Sequence, residues 1–131
     1  MEKWNLNPTQ KIGNLKFGLH RKDIRSIINK QFKEYKKSQL SENTTDDYID
    51  FQIFYNKDDS FVAIEIFDNI ELTIDDKVIF PNNVENIKII FPNLVKDDEN
   101  HYIDYDNSIG VEVDNSKISS ILFGCVNYYK L

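Results

Sequence analysis

Residues 49–67, IDFQIFYNKDDSFVAIEIF, alternate apolar and polar side chains more regularly than any other stretch of the chain. Ile49, Phe51, Ile53 and Tyr55 fall on one face of a first strand, and Val62, Ile64 and Ile66 on one face of a second. The connector Asn56-Lys57-Asp58-Asp59-Ser60 holds residues that bond their own backbone or tolerate left-handed conformations, so the segment predicts an antiparallel hairpin. One face of this hairpin is apolar enough to require a cover.

The flanking patterns predict that cover to be helical. After an extended lead-in at Leu15, Phe17 and Leu19, the residues Ile24, Ile27, Ile28 and Phe32 recur at the spacing of one helical face. Asp23 stands in the first turn, with Lys30, Lys33, Lys36 and Lys37 toward the end, an arrangement that complements the helix dipole. A polar connector, residues 38–47, precedes the hairpin, and Ile70 to Ile74 alternates again as a third strand. A short return over Val78 to Phe80 stops at Pro81, and a second helix, capped by Asn82 or Asn83, runs from Val84 to about Phe91. Strands are then expected at Tyr102 to Tyr105, through Ile109, Val111 and Val113, and over Lys117 to Phe123.

The order helix, strand, strand thus occurs twice. Placing Phe67 over Phe123 aligns Val62 with Ile118 and Ile66 with Leu122. The fold class this predicts is α+β, an antiparallel sheet covered by two helices. It forms a single domain, 1–131, with possible tandem helix-hairpin copies at 13–80 and 81–131.

With 131 residues, 40% of them hydrophobic, the chain supports one core and not two. It shows neither a long apolar run nor a charged-then-apolar leader, so no membrane contact is expected and the cytoplasm is the expected compartment. Cys125, in the apolar run ILFGCV, reads as a buried, inert thiol. The net charge of −6 is segregated: residues 1–40 carry ten Lys or Arg against three Asp or Glu, and residues 41–131 carry six against nineteen. An acidic field of this kind repels nucleic acid and attracts basic partners.

Catalytic and metal signatures are weak by comparison. The run from Asp104 to Gly110 spaces oxygen ligands as a calcium loop does, but its glycine comes one place late and Asn115 stands where the bidentate Glu belongs. His20 and His101 have no neighbouring Cys or His for zinc; the first reads as a helix-entry residue and the second as a loop residue. No nucleophile elbow, phosphate loop or dinucleotide fingerprint is present, so the expectation is a protein with no catalytic residue, no metal and no cofactor.

What remains is binding. Asp46, Asp47 and Tyr48 in one segment, and Asp97, Asp98, Glu99, Tyr102, Asp104 and Asp106 in another, mix carboxylates with tyrosines as a surface gripping a basic protein does. Each segment lies between a helix and the following hairpin. Residues 13–28, GNLKFGLHRKDIRSII, resemble the glycine-led entry into a helix found in the repeats of beta-lactamase inhibitor protein-like folds and in standalone immunity proteins of bacterial toxin systems. Gly18-Leu19 supplies the turn and Ile24, Ile27 and Ile28 the buried face, while His20 stands where those families place Ser or Thr as cap. The resemblance implies a binding protein with a concave or flat sheet face and carries over no catalytic residue. Together with the acidity, the small size and the lack of catalytic motifs, it leads to the expectation of an immunity protein that blocks a basic toxin domain such as a nuclease, and a monomer or weak dimer is expected. The alternative is a binding module for a peptide or small ligand, held in the cleft between helix and sheet.

Overall fold

The structure, a computed structural model, describes residues 2–130. Three short strands, β1 (Glu2–Asn7), β2 (Lys11–Ile12) and β3 (Leu15–Lys16), lead into α1 (Arg21–Ile28). An antiparallel meander follows: β4 (Lys33–Tyr35), β5 (Thr45–Asp47), β6 (Phe51–Tyr55) and β7 (Phe61–Ile66). Strands β8 (Ile70–Ile74) and β9 (Lys77–Phe80) lead into α2 (Val84–Ile90). A second meander closes the chain: β10 (Val95–Asp98), β11 (His101–Asp104), β12 (Ile109–Asp114) and β13 (Lys117–Gly124). The meanders join edge to edge through β7 and β13 into one sheet of order β10-β11-β12-β13-β7-β6-β5-β4. The leading strands form a second sheet, β3-β2-β1-β8-β9, in which β1 and β8 run parallel.

With 47% of residues in strands and 12% in helices, the protein is mostly β, and the α+β expectation of one sheet under two helices is overturned. The helices have eight and seven residues and bury only Arg21 and Ile24, and Val84 and Ile87. That is too little apolar surface to cover eight strands. The five-stranded sheet supplies the cover instead: its Leu6, Ile12, Leu15, Ile70 and Leu72 share one core with Phe51, Ile53, Ile64, Ile121 and Phe123 of the larger sheet. Trp4 meets Phe51 edge-on at 5.2 Å and Phe17 stacks on Phe61 at 4.7 Å. Sequence pattern misses β1, β2, β4, β5 and β10: the last four have two to four residues, too few to show an alternation, and β4 and β10 are exposed edges with polar side chains.

The first helix is also shorter than its spacing suggests. Asn29 takes a left-handed conformation at φ 50° and donates its N–H to the Arg25 carbonyl, which closes the helix. Lys33 therefore lies in edge strand β4 and Lys36 and Lys37 follow it, so dipole complementarity does not explain them. His20 is the cap, its Nδ1 accepting from the Lys22 N–H at 3.1 Å, and Asn83 caps α2 through the Asn86 N–H at 2.9 Å.

Both halves tie their helix to their last strand in the same way. His20 bridges Ser60, and Asn83 bridges Lys117. The Phe61 N–H donates to the Leu19 carbonyl at 2.8 Å, and the Ile118 N–H to the Asn82 carbonyl at 3.1 Å. The counterpart of Ile118 is therefore Phe61, one residue away from the Val62 that pattern alignment selects. Each copy carries a bulge at the equivalent place, so strict alternation breaks there in both strands. Tyr55 opposes Phe61 and Phe54 opposes Ala63, which leaves Val62 as the extra residue; in β13 the extra residue is Ser119, between Ile118 opposite Val113 and Ser120 opposite Glu112. Ile49, read as an inward strand residue, sits in the turn before β6 at φ 76°, with 85% of its surface exposed.

Candidate binding site: two acidic clusters

The carboxylates expected to bind a partner divide into two groups in the structure. Around α1 they are neutralised from within. Asp46 is fully buried on β5 and receives Arg25 Nε at 2.8 Å and Nη2 at 2.7 Å, one nitrogen to each oxygen, together with the Tyr55 hydroxyl at 3.0 Å. Arg25 continues to Glu34 at 2.9 Å, and the Thr44 hydroxyl donates to Glu34 at 2.7 Å. Arg21 donates to the Thr44 hydroxyl at 3.1 Å and to its carbonyl at 3.0 Å, and lies over the Tyr55 ring at 4.2 Å.

Burial, then the nearby Asp46 charge, pushes the Tyr48 phenol up to about 12 and raises Tyr55 further. The Thr44 hydroxyl, followed by Arg25, holds Glu34 below the usual carboxylate range, and the Asn43 amide does the same for Asp59. A carboxylate whose folded pKa is depressed stabilises the fold above its unfolded pKa, and that contribution fades as pH falls through the folded value. The urea midpoint is therefore expected to hold steady from neutral pH down to roughly pH 5 and to fall below roughly pH 4.5. Glu34→Gln is expected to lessen that acid slope. An unchanged slope would remove Glu34 from the account.

Asp46 and Tyr48 are thus corrected from binding residues to internal ones. Tyr48 is buried and stacks on Phe51 at 4.9 Å. Asp104 is corrected likewise: it is fully buried and caps its own loop, accepting from the N–H groups of Asp106 and Asn107 at 3.1 and 3.0 Å and from the Asn107 amide at 2.8 Å. Its replacement by alanine is expected to disturb the fold, so it is unsuitable as a test of binding. Asp106 is exposed but paired with Lys130 at 2.9 Å. Tyr102 is half-buried beneath the Lys88 ammonium at 5.0 Å, and Asp47 accepts the Ile49 N–H at 2.8 Å.

Asp97, Asp98 and Glu99 come together differently. They ring the turn between β10, an edge strand exposed along its whole length, and β11. With Asn100, His101 and Glu112 they line a surface cleft of about 370 Å³. His101 faces two carboxylates, Asp97 at 3.2 Å and Glu112 at 3.7 Å, and among the described residues no Lys or Arg forms an ion pair with Asp97, Asp98, Glu99 or Glu112. The β-ladder assembles the group: His101 stands opposite both Asp98 and Glu112. Glu112 and His101 were missed as members of this site. Glu112 is a polar residue between Val111 and Val113, a pattern shared by every half-buried strand, so only cross-strand register reveals it.

No family model matches the chain, and no curated protein or solved structure shows significant similarity to it. The geometry therefore has to carry the functional reading. Elsewhere, α1 and the five-stranded sheet enclose a cleft of about 390 Å³ walled by Trp4, Leu15, Ile27 and Ile28, with Lys3 and Lys30 at its rim. Lys30 is tied to Glu2 across it at 2.7 Å. Cys125 is half-buried, and burial pushes its thiol up, away from the reactive thiolate. No helix among the described residues is long and apolar enough to cross a membrane.

Proposed function

We propose that this chain is a stoichiometric inhibitor that binds and neutralises a basic protein domain, as a bacterial immunity protein blocks its toxin, and that the β10–β11 edge is its steering face. The observation that carries the reading is the contrast between the two acidic clusters. Carboxylates beside α1 are consumed by Arg21 and Arg25, whereas those at the β10–β11 turn stand on an exposed edge and have no lysine or arginine partner among the described residues. Leaving like charges together costs the fold stability, and a cationic surface that covers them recovers it. A nuclease, whose substrate is a polyanion, is the class of toxin whose basic surface suits such a face.

The test is a titration with the C-terminal domain encoded by the adjacent reading frame. One-to-one binding that abolishes that domain's toxicity is expected, with association slowed about tenfold or more as salt rises from roughly 50 to 500 mM. The triple variant Asp97→Asn, Asp98→Asn, Glu99→Gln is expected to slow association about tenfold while melting at or slightly above the parent, because all three side chains are exposed and their mutual repulsion is relieved. An unchanged association rate would sink the site.

The cleft beside Trp4 favours a second reading, a module that holds a peptide or small ligand. Trp4 is the chain's single tryptophan, so its emission reports on that cleft alone. A salt-independent change in Trp4 emission on ligand binding, with no effect of the triple variant, would favour this reading over inhibition.

A further inference from the structure

Ile49 is in a conformation that its own side chain opposes. It has φ 76°, in the left-handed region, where a β-branched residue is a genuine outlier. It is also 85% exposed, so no packing within the chain compensates for the strain. Asparagine or glycine would hold the turn between β5 and β6 at lower cost, as Asn29, Asn69 and Asn115 do at other left-handed positions of this chain.

The surroundings of Ile49 have the anatomy of a contact surface. The Phe67 N–H donates to the Asp50 carbonyl at 2.8 Å, which brings the start of the turn after β7 against the Ile49 turn, and Phe67 is itself 36% exposed. Asp47, Asp50 and Asp68 flank these two apolar side chains. Their carboxylates accept from Ile49 N–H, Asn69 amide and Asn69 N–H, and none forms an ion pair with a Lys or Arg among the described residues. An apolar centre with a charged rim is the arrangement that yields an energetic hot spot when a partner excludes water from it.

Register links this patch to the acidic cleft. Asp98 stands opposite His101, His101 opposite Glu112, and Glu112 opposite Ser120. Ile121 pairs with Ile66, so one step further along the same ladder Ser120 lies beside Phe67. At about 4.8 Å per strand, the patch and the cleft are roughly 20 Å apart along one transverse row of the sheet. A single protein–protein interface of ordinary size spans that distance.

We propose that Ile49, supported by Phe67, is the apolar anchor of the interface whose acidic cleft steers the same basic protein into place. This rests on the inhibitor reading above. Its occupant is a basic domain with an apolar pocket: the carboxylate rim selects the positive charge, and the protruding isoleucine fills the pocket. Steering charges act on the association rate, while a desolvated anchor acts on dissociation, so the two parts of the interface have different kinetic signatures.

The experiment compares the full chain with Ile49→Asn and Phe67→Ser, using the domain encoded by the adjacent reading frame as the probe and reading association and dissociation rates together with thermal melting. Ile49→Asn is expected to melt at or a few degrees above the parent, because asparagine accepts φ 76°. Its complex is expected to dissociate at least tenfold faster with little change in association, and Phe67→Ser is expected to move dissociation in the same direction. If Ile49→Asn dissociates as slowly as the parent, the anchor is overturned and the inhibitor reading stands. If it melts well below the parent, Ile49 serves the fold and the anchor is overturned as well. If the parent chain does not bind the probe at all, the inhibitor reading fails and the anchor fails with it.

Discussion

Phe61→Ala is expected to destabilise the protein by about 3–5 kcal/mol, while Val62→Ala, one residue later, costs about 1 kcal/mol or less. Phe61 is fully buried and stacks on Phe17, so its removal loses the transfer energy of a phenyl ring, leaves a cavity where the two sheets meet, and breaks an aromatic pair. Val62 is the extra residue of the bulge and is half-buried on the opposite side. Phe61 is also a junction for the backbone: its N–H donates to the Leu19 carbonyl, and its own carbonyl accepts the Gly18 N–H, both at 2.8 Å. These bonds hold the entry to α1 against β7. Urea unfolding of the two variants gives the comparison directly. Equal losses for Phe61→Ala and Val62→Ala would mean that the bulge is absent and that strict alternation runs through β7.

Asp46→Ala is the second large effect, expected at about 3 kcal/mol. The carboxylate is fully buried and satisfies two nitrogens of Arg25 and the Tyr55 hydroxyl. Its loss leaves a guanidinium and a buried hydroxyl without their acceptor. Breaking a buried ion pair from one side costs roughly 3–5 kcal/mol, and the lower end applies here. The Arg25 side chain is 27% exposed and keeps its bond to Glu34, so water and that second carboxylate share the freed charge. The double variant Arg25→Met, Asp46→Ala is expected to recover part of the loss, since removing both charges removes the desolvation cost of each. A loss under about 1 kcal/mol for Asp46→Ala would show that the pair contributes little and that Asp46 is available to a partner. The contrast with the exposed triple variant at 97–99, expected to melt at or slightly above the parent, separates carboxylates that hold the fold from those that face outward.

The central hairpin, α2 with its Asn83 cap, and the last two strands were legible from the chain alone, because each either repeats a period long enough to recognise or opens with a capping side chain. The acidic turn at Asp97, Asp98 and Glu99 was legible too, as a run of carboxylates beside turn residues, and its exposure follows from that composition. The fold class was not legible. Strands such as Thr45–Asp47 and Lys33–Tyr35 are recognisable only by what they pair with, and the second sheet depends on a parallel contact between β1 and β8, some 68 residues apart in the Glu2–Ile70 pair. Local pattern contains no information about a partner that distant.

The candidate site divides along the same line. Chain composition determined that the molecule is acidic after residue 40 and where its charged turns lie. Tertiary structure decided which of those charges are available. Asp46 and Asp97 look alike in sequence, each an aspartate beside a second aspartate and near a tyrosine. One is buried against Arg25, which α1 delivers from 21 residues away, and the other stands on an edge strand that nothing covers. Ile49 shows the reverse case, an apolar side chain in phase with a buried strand that a left-handed turn expels into solvent. Alternation specifies which residues can share a face; long-range pairing decides where that face ends and what meets it.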